Sequence, residues 1–294
     1  MQALYRKTRS IIHRWRAQPS EPSFMAMVRM ERRVADLAAQ LQGIHRREVW
    51  DFNTKVGIKR VASRFGVRTP AILADQALPR EISWDILPET FVAKPVWGAG
   101  GVGVRVLRRI PDGYHDAISG TSFTLDQLCS GWDELAASGL ISHELIVEEV
   151  VGDGSLLPLD WKAYAFRGEV ELILQVDRNG GKRIRYYDKH WNTPAFLYYG
   201  QNKNNGNGNG KSLPPPRHPE EIIICASKIS RELPLPFIRV DLYEDDEGVL
   251  LGELTPRPGH AFPFRPQWDR HLGEAWERSE ARLRIELDRY KVAT

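Results

Sequence analysis

The chain has 294 residues, 42% hydrophobic and 27% charged, with a formal net charge of +3, a length and composition that support a buried core and exclude the disulfide-stapled miniproteins. No window approaches the roughly 18 apolar residues of a membrane span, and residues 1 to 20 lack the apolar stretch of a secretory signal, so the cytoplasm is the expected compartment. Cys129 and Cys225 lie far apart without metal-type spacing to histidine, which predicts two reduced thiols.

Residues 1 to 60 hold 13 Lys/Arg against 5 Asp/Glu, a local balance of +8 that leaves −5 for the remainder. A basic arm of this kind can meet nucleic acid, an anionic membrane surface or an acidic partner, although a solvated helix face is the plainer reading. Within it Met27, Met30, Val34, Leu37, Leu41 and Ile44 recur at alternating spacings of three and four, which predicts an amphipathic helix packed on its own domain. The same spacing fits a coiled-coil seam, so a homodimer through this helix is the second reading. Residues 1 to 50 are therefore expected to form a basic, helical N-terminal segment.

The run TKVGIKRVASRFGV (54 to 67) predicts a helix ending near Gly66, before Arg68-Thr69-Pro70. β-type runs at 91 to 96 and 102 to 107 flank Gly98, Gly100, Gly101 and Gly103. Further strands are expected at 144 to 151 and 161 to 166, the latter joined across Arg167-Gly168-Glu169 to 170 to 176. The polar, glycine- and proline-rich stretch from 201 to 216 reads as a mobile surface loop. A helix at 219 to 231, strands at 237 to 243 and 249 to 254, and a charged helix at 273 to 290 complete the expected elements. No internal repeat is visible.

Gly98, Gly100 and Gly103 satisfy G-x-G-x-x-G, but a dinucleotide fingerprint opens a helix, and here Val104-Arg105-Val106-Leu107 continues as strand. A protein kinase would add a lysine on the following strand and HRD and DFG elements, which the chain lacks. What remains is a glycine hairpin with Lys94 four residues before Gly98. Backbone N–H groups unshielded by side chains can approach phosphate oxygens, and an ammonium on the preceding strand supplies point charge. A plain tight hairpin beside an exposed lysine is the alternative.

Near the C-terminus FIRVDLYEDDEGVLLGELTPRPG (237 to 259) reads as two strands joined by an acidic turn. Asp241 and Glu253 sit on opposite strands, where pairing can bring both carboxylates to one face, a donor set that suits Mg2+ completed by substrate phosphates. Arg239 shares the parity of Asp241 and can stabilise developing negative charge there. Asp245, Asp246 and Glu247 belong to the turn and to solvent. Edge-strand charges are the alternative for the pair.

Six ordered motifs, NTKVGIK (53 to 59), FVAKPVWGAGGVGV (91 to 104), LIVEEVVG (145 to 152), LDWKAYAFRG (159 to 168), YYDKHWN (186 to 192) and FIRVDLY with GELTPRPG (237 to 259), resemble the ATP-grasp superfamily in its TupA-like branch. The resemblance implies an α+β fold in which two subdomains, 51 to 146 with the glycine loop and 147 to 294 with the metal site, grip ATP between antiparallel sheets. It implies that Lys59 and Lys94 contact ATP phosphates, that the glycine loop covers the β- and γ-phosphates, and that Glu148, Glu149 and Val150 form the adenine linker. Asp160 is implied at the ribose and Lys162 at a further phosphate. Asp241 and Glu253 match the metal pair, and Thr255 stands where the wider superfamily uses asparagine as a third metal contact. Arg239 matches an arginine near the acyl phosphate, and Arg257, Gly259 and His260 would line the acceptor side. Many members carry a full α/β domain ahead of the glycine loop, so part of the usual acceptor site is here missing, replaced or supplied by a partner protein.

The expected activity is an ATP- and Mg2+-dependent carboxylate–amine ligase working through an acyl phosphate, in surface-polymer, peptide or other specialised biosynthesis. The partners expected are a carboxylate and an amine acceptor, with nucleic acid not among them. A small-molecule kinase of the same fold and a non-enzymatic interaction protein built on the basic arm are the rivals. The eight histidines form no clear metal pair, and His143, His190, His260 and His271 are read as surface or packing residues. Tyr186, Tyr187, Trp191, Tyr198 and Tyr199 are read as packing residues, with a sugar-stacking wall as the alternative.

Overall fold

The computed structural model describes residues 22–42, 52, 55–98, 100–152, 157–179, 181–194, 197, 213–258 and 264–293. Two antiparallel sheets organise them. The first contains β1 (Ile72–Ala77), β2 (Thr90–Pro95), β3 (Arg105–Ile110), β4 (Gly113–Asp116), β5 (Thr121–Phe123) and β6 (Leu145–Glu149), in the order β1-β6-β2-β3-β4-β5. The second contains β7 (Asp160–Phe166), β8 (Glu169–Asp177), β9 (Arg183–Tyr187), β10 (Ile238–Asp245) and β11 (Gly248–Thr255), in the order β11-β10-β7-β8-β9. Five α-helices accompany the sheets among the described residues: α1 (Phe24–Gln42), α2 (Lys55–Phe65), α3 (Leu125–Ala137), α4 (Pro219–Glu232) and α5 (Pro266–Ala293).

Period-two alternation explains the layers. On one face of the second sheet Trp161, Ala163, Val240 and Leu242 are buried beneath α2 and α4, against Ile58, Ala62, Ile222 and Ile229. On the other face Tyr164, Phe166 and Phe237 pack with Phe24, Phe264 and Trp276. Further along that second face the same strands turn charged, with Asp160 and Lys162 on β7 and Arg239 and Asp241 on β10. The first sheet buries Phe91, Ala93, Leu107 and Tyr114 against Trp84 and α3. There Trp84 and Trp132 stack at 5.7 Å, and Thr124 caps α3 in a reciprocal box with Gln127.

The strand and helix expectations hold for the elements named from sequence, with shifts of a few residues at their ends; α5 starts at Pro266, seven residues before the expected Gly273. Helix α2 precedes the first sheet in the chain yet packs on the second, where Leu251 N–H donates to the Arg68 carbonyl at 2.8 Å. The two sheets separate between Glu149 and Asp160. Strands β1, β4, β5 and β9 and helix α3 were not expected: β1, β4 and β5 have little apolar alternation, and all four strands form where neighbouring strands supply their hydrogen-bond partners.

Helix α1 corrects one expectation. It does pack on its own domain, but through Phe24, Val28, Ala35 and Ala39. Of the residues that made its periodicity visible, Met27 is half-buried against the same core, Met30, Val34, Leu37 and Leu41 are exposed, and Ile44 lies outside the described residues. Phe24 is the reason for the rotation. It lies with its ring 5.0 to 6.0 Å from those of Tyr164, Phe166, Phe237, Phe264 and Trp276. Asp269 of α5 fixes the helix start, accepting from Ser23 Oγ at 2.6 Å and from Met25 N–H at 2.8 Å.

Tyr186 and Tyr187 are buried and Trp191 packs on the core, as expected of packing residues, while Tyr198 and Tyr199 lie outside the described residues. Both cysteines are free and buried, and burial pushes the Cys225 thiol up to about 12. No helix among the described residues is long and apolar enough to cross a membrane. Of the 201 to 216 stretch, residues 201 to 212 lie outside the described residues.

Candidate active site

The sheets face each other across a cleft of about 370 Å³. From the first sheet come Lys94, the glycine turn, Glu148, Glu149 and Val150; from the second come Asp160, Lys162, Asp241 and Glu253. The alternation of β2 buries Phe91, Ala93 and Pro95 and leaves Thr90, Val92 and Lys94 on the other face. Val92 pairs with Glu148 and Lys94 with Ile146, so the lysine and the glutamate are diagonal neighbours on one face of the sheet.

Glu148 is buried and carries two cations. Lys94 Nζ makes an ion pair with it, and Lys59 Nζ lies 3.8 Å away from α2. Lys59 also donates to Thr69 Oγ1 at 3.0 Å and to the Pro70 carbonyl. The two lysines expected to share a phosphate chain therefore converge, from different layers, on one carboxylate. Glu149 is exposed at the end of β6, and Val150 lines the cleft behind it.

Between β2 and β3 the glycine turn bends through φ of 66° at Gly100, 81° at Gly101 and 75° at Gly103, values that side chains resist. At Gly103 space is a second constraint, since a Cβ would stand 2.9 Å from Pro95 Cγ. Trp132 of α3 donates to the Gly103 carbonyl at 2.8 Å, and Ser142 Oγ accepts from Trp97 N–H at 3.1 Å, tying the two ends of the turn to α3 and to the segment between α3 and β6. Gly98 forms a bridge with Ile141.

Opposite the turn, Asp241 is buried at 2% exposure. Arg239, two residues earlier on the same face of β10, grips it with two bonds, Nε to Oδ1 at 2.6 Å and a terminal nitrogen to Oδ2 at 2.7 Å. Lys162 reaches Asp241 Oδ2 from β7 and also bonds Asp160 at 2.9 Å, and Arg178 joins Asp160 at 3.0 Å. Burial alone would raise the Asp241 carboxyl, but Arg239 and Lys162 hold it below the ordinary aspartate range. Burial likewise opposes charge on Lys162, and Asp241 and Asp160 outweigh it, so the ammonium persists above the ordinary lysine value. Arg239 is held charged in the same way.

Glu253 pairs with Asp241 across the hairpin and faces the cleft; it makes no hydrogen bond or ion pair among the described residues. Thr255 pairs with Arg239, whose guanidinium donates to its Oγ1 at 3.1 Å. No group of three His, Cys, Asp or Glu side chains among the described residues closes on a metal by itself. A carboxylate offers about four lone-pair positions, and the bonds from Arg239 and Lys162 to Asp241 occupy three, two of them on Oδ2. Asp241 Oδ1 and Glu253 thus fit a hard divalent cation that takes one or two protein carboxylates and completes its shell with phosphates and water.

The turn after β11, expected from sequence on the acceptor side, is reached by α1. Arg32 donates to the Pro258 carbonyl, and Glu31 stands near Arg257; burial raises the Glu31 carboxyl against the opposing charge of that arginine. Arg257 is half-buried, whereas Gly259 and His260 lie outside the described residues. Two polar side chains of the cleft were not expected from sequence. Tyr243 has the parity of Asp241, a signal that was available; Arg178 follows the end of β8 and reaches Asp160 only through the β7–β8 pairing. Burial, then the charges of Asp160 and Asp241, push the Tyr243 hydroxyl well above its ordinary value.

A family model described as TupA-like ATPgrasp matches residues 35–277. A search of curated proteins finds no match. Among solved structures the chain is similar to the D-alanine–D-alanine ligase of Bacillus anthracis, at 17% identity and a TM-score of 0.48, covering 80% of this chain and 69% of that one. The same ligase complexed with ATP gives 15% identity and a TM-score of 0.46, with 85% and 74% covered. The ATP-grasp ligase PsnB complexed with a minimal precursor, Mg and ADP gives 14% and 0.41, with 79% and 59% covered.

Proposed function

The chain belongs to the TupA-like ATP-grasp family, and from that membership and the cleft we propose that it is an ATP-dependent carboxylate–amine ligase. The observation that carries the reading is the convergence of Lys59 and Lys94 on cleft-lining Glu148, across from Lys162, Asp241 and Glu253, with Arg239 gripping Asp241. Cations and carboxylates in one pocket suit a nucleotide triphosphate bound with a divalent cation, and positioning and electrostatics dominate phosphoryl transfer.

On this reading Lys59, Lys94 and the backbone of Gly98, Gly100, Gly101 and Gly103 hold the phosphates, with Lys162 as a further cation. Val150 and the backbone at Glu148 and Glu149 border the base, and Asp160 faces the ribose. Asp241 and Glu253, with Thr255 beside them, hold Mg2+, which supplies charge neutralisation on the phosphates when bound. A carboxylate oxygen of the donor substrate attacks the γ-phosphorus as the bond to the β-phosphate oxygen breaks, releasing ADP. Arg239 faces the negative charge of that transfer. An amine then attacks the acyl carbon and phosphate leaves, forming the amide; the amine proton passes to solvent or base. Arg257, Gly259 and His260 are assigned to the acceptor side. A uronic acid, amino acid or peptide is the proposed donor class.

ADP and phosphate release from Mg·ATP, measured against a panel of carboxylates with and without hydroxylamine, tests this. Hydroxamate formed with one acid, and lost in Glu253→Gln, is the expected result. A stable phosphorylated product indifferent to hydroxylamine identifies a kinase instead, and no ATP turnover with any acid removes the ligase reading for that panel.

A further inference from the structure

Met30, Val34, Leu37 and Leu41 of α1 are 65%, 57%, 61% and 89% exposed. At 3.6 residues per turn they fall within an arc of about 60°, roughly opposite the buried face of Val28, Ala35 and Ala39. Exposed Arg29 and Arg33 border the stripe on one side. Residues 1 to 20, which precede the helix in sequence, hold five Lys/Arg and no Asp/Glu.

Three occupants compete for such a stripe. A second copy would use it as a seam, yet a strip about 17 Å long and about 10 Å wide removes only about 340 Å² from water in a pair, far below the roughly 1,200 Å² where stable interfaces begin. The residues bordering it do not help, since Arg33 and Gln40 on one side would meet Met27 and Ala38 on the other, and the nearest carboxylate, Glu31, is half-buried beside Arg257 of its own chain. Nucleic acid is met by cations on its phosphates and has no use for an apolar strip of Met, Val and Leu. An apolar stripe bordered by arginine, on a helix too polar to cross a bilayer, matches an anionic lipid surface, where apolar side chains enter the headgroup–acyl boundary and cations meet the phosphates.

We propose that α1 docks this chain on anionic membranes through Met30, Val34, Leu37 and Leu41, with Arg29 and Arg33 meeting the lipid phosphates. Attachment is reversible, because one helix face without a lipid chain gives modest affinity. The docking helix is the one that holds Pro258 through Arg32 on its inner side, so the lipid-facing surface and the turn after β11 belong to one packed unit. The inference stands apart from the ligase reading and survives or fails without it.

Sedimentation of the full chain with vesicles of equal parts phosphatidylglycerol and phosphatidylcholine, with pure phosphatidylcholine vesicles beside them, is the direct test. Binding to the anionic vesicles only is expected, and it should weaken sharply in about 0.5 M salt, where the screening length falls to a few ångströms. The double variant Leu37→Gln, Leu41→Gln should lose about tenfold or more in partitioning, since each apolar side chain removed from the lipid forfeits its own transfer free energy. Its circular dichroism and melting should match the wild type, because both positions are exposed. Absence of vesicle binding, or equal binding by wild type and variant, overturns the proposal. So does a dimer in light scattering that the double variant abolishes, since the stripe then belongs to a second copy.

Discussion

A Cβ placed on Gly252 would stand 2.5 Å from Tyr243 Cε2, so the missing side chain at residue 252 is what admits the tyrosine ring to the cleft. The hairpin register creates this fit. Glu253 pairs with Asp241 and Leu251 with Leu242, which leaves Gly252 as the extra residue of a β-bulge. The ring therefore lies beside the two carboxylates assigned to the metal.

Gly252→Ala should displace Tyr243 and weaken Mg·ATP binding about tenfold, or about 1.4 kcal/mol, while leaving the affinity for inorganic tripolyphosphate unchanged. Adding Tyr243→Ala should relieve the clash without restoring ATP affinity. Calorimetric titration with both ligands checks this, and an unaltered ATP affinity in both variants would take Tyr243 out of nucleotide binding.

Glu253→Gln and Asp241→Asn, each of which removes one proposed metal ligand, should differ in stability. Glu253 lines the cleft without a partner among the described residues, so its amide variant should melt like the wild type and lose turnover. Asp241 is the counter-charge of buried Arg239 and Lys162, and its amide should cost about 3 kcal/mol or more because two cations lose their shared anion. Urea unfolding of both variants, read beside ATP turnover, separates the effects. Equal stability of the two would mean that the Arg239–Asp241–Lys162 cluster contributes little to folding.

Acid should destabilise the second sheet through four carboxylates, one of them Asp241, which burial raises but Arg239 and Lys162 hold below its ordinary range. Burial raises Glu171, but His271 at 2.9 Å, Lys189 and Arg278 hold it below its ordinary 4.5. Burial also raises Asp177, against the Asn179 amide and Arg183, and Asp245 is lowered first by its bonds from Arg68; both finish below their ordinary 3.8. A carboxyl depressed by folding adds stability above its unfolded value and loses it as pH falls toward the folded one. Unfolding free energy should therefore be flat near neutrality and fall below about pH 4.5. His271→Gln should lower the plateau and make the fall shallower, measured by urea titrations across that range.

Much of the architecture was legible because it rests on local chemistry. Alternation along 161 to 166 and 170 to 176 names a hairpin whatever it packs on, and the glycines at 100, 101 and 103 announce backbone that side chains resist. Asp241, Glu253 and Arg239 could be placed on one face from strand parity and a turn between them, and the register agrees. Other features were invisible for physical reasons. The short, poorly alternating β4 and β5 exist through their neighbours, and that Glu148 unites Lys59 with Lys94 depends on α2 lying on the second sheet while Glu148 belongs to the first.

Helix α1 marks where the two kinds of information divide. The amino-acid sequence by itself determined that residues near 24 to 42 form an amphipathic helix, because 3.6-residue periodicity is a local property. Which face turns inward was decided by the tertiary structure: Phe24 fits an aromatic pocket built from β7, β10 and α5, and Ala35 and Ala39 allow the helix to settle against its neighbour. Large apolar residues set the periodicity, but the shape and chemistry of the receiving surface chose the face, leaving Met30, Val34, Leu37 and Leu41 outside.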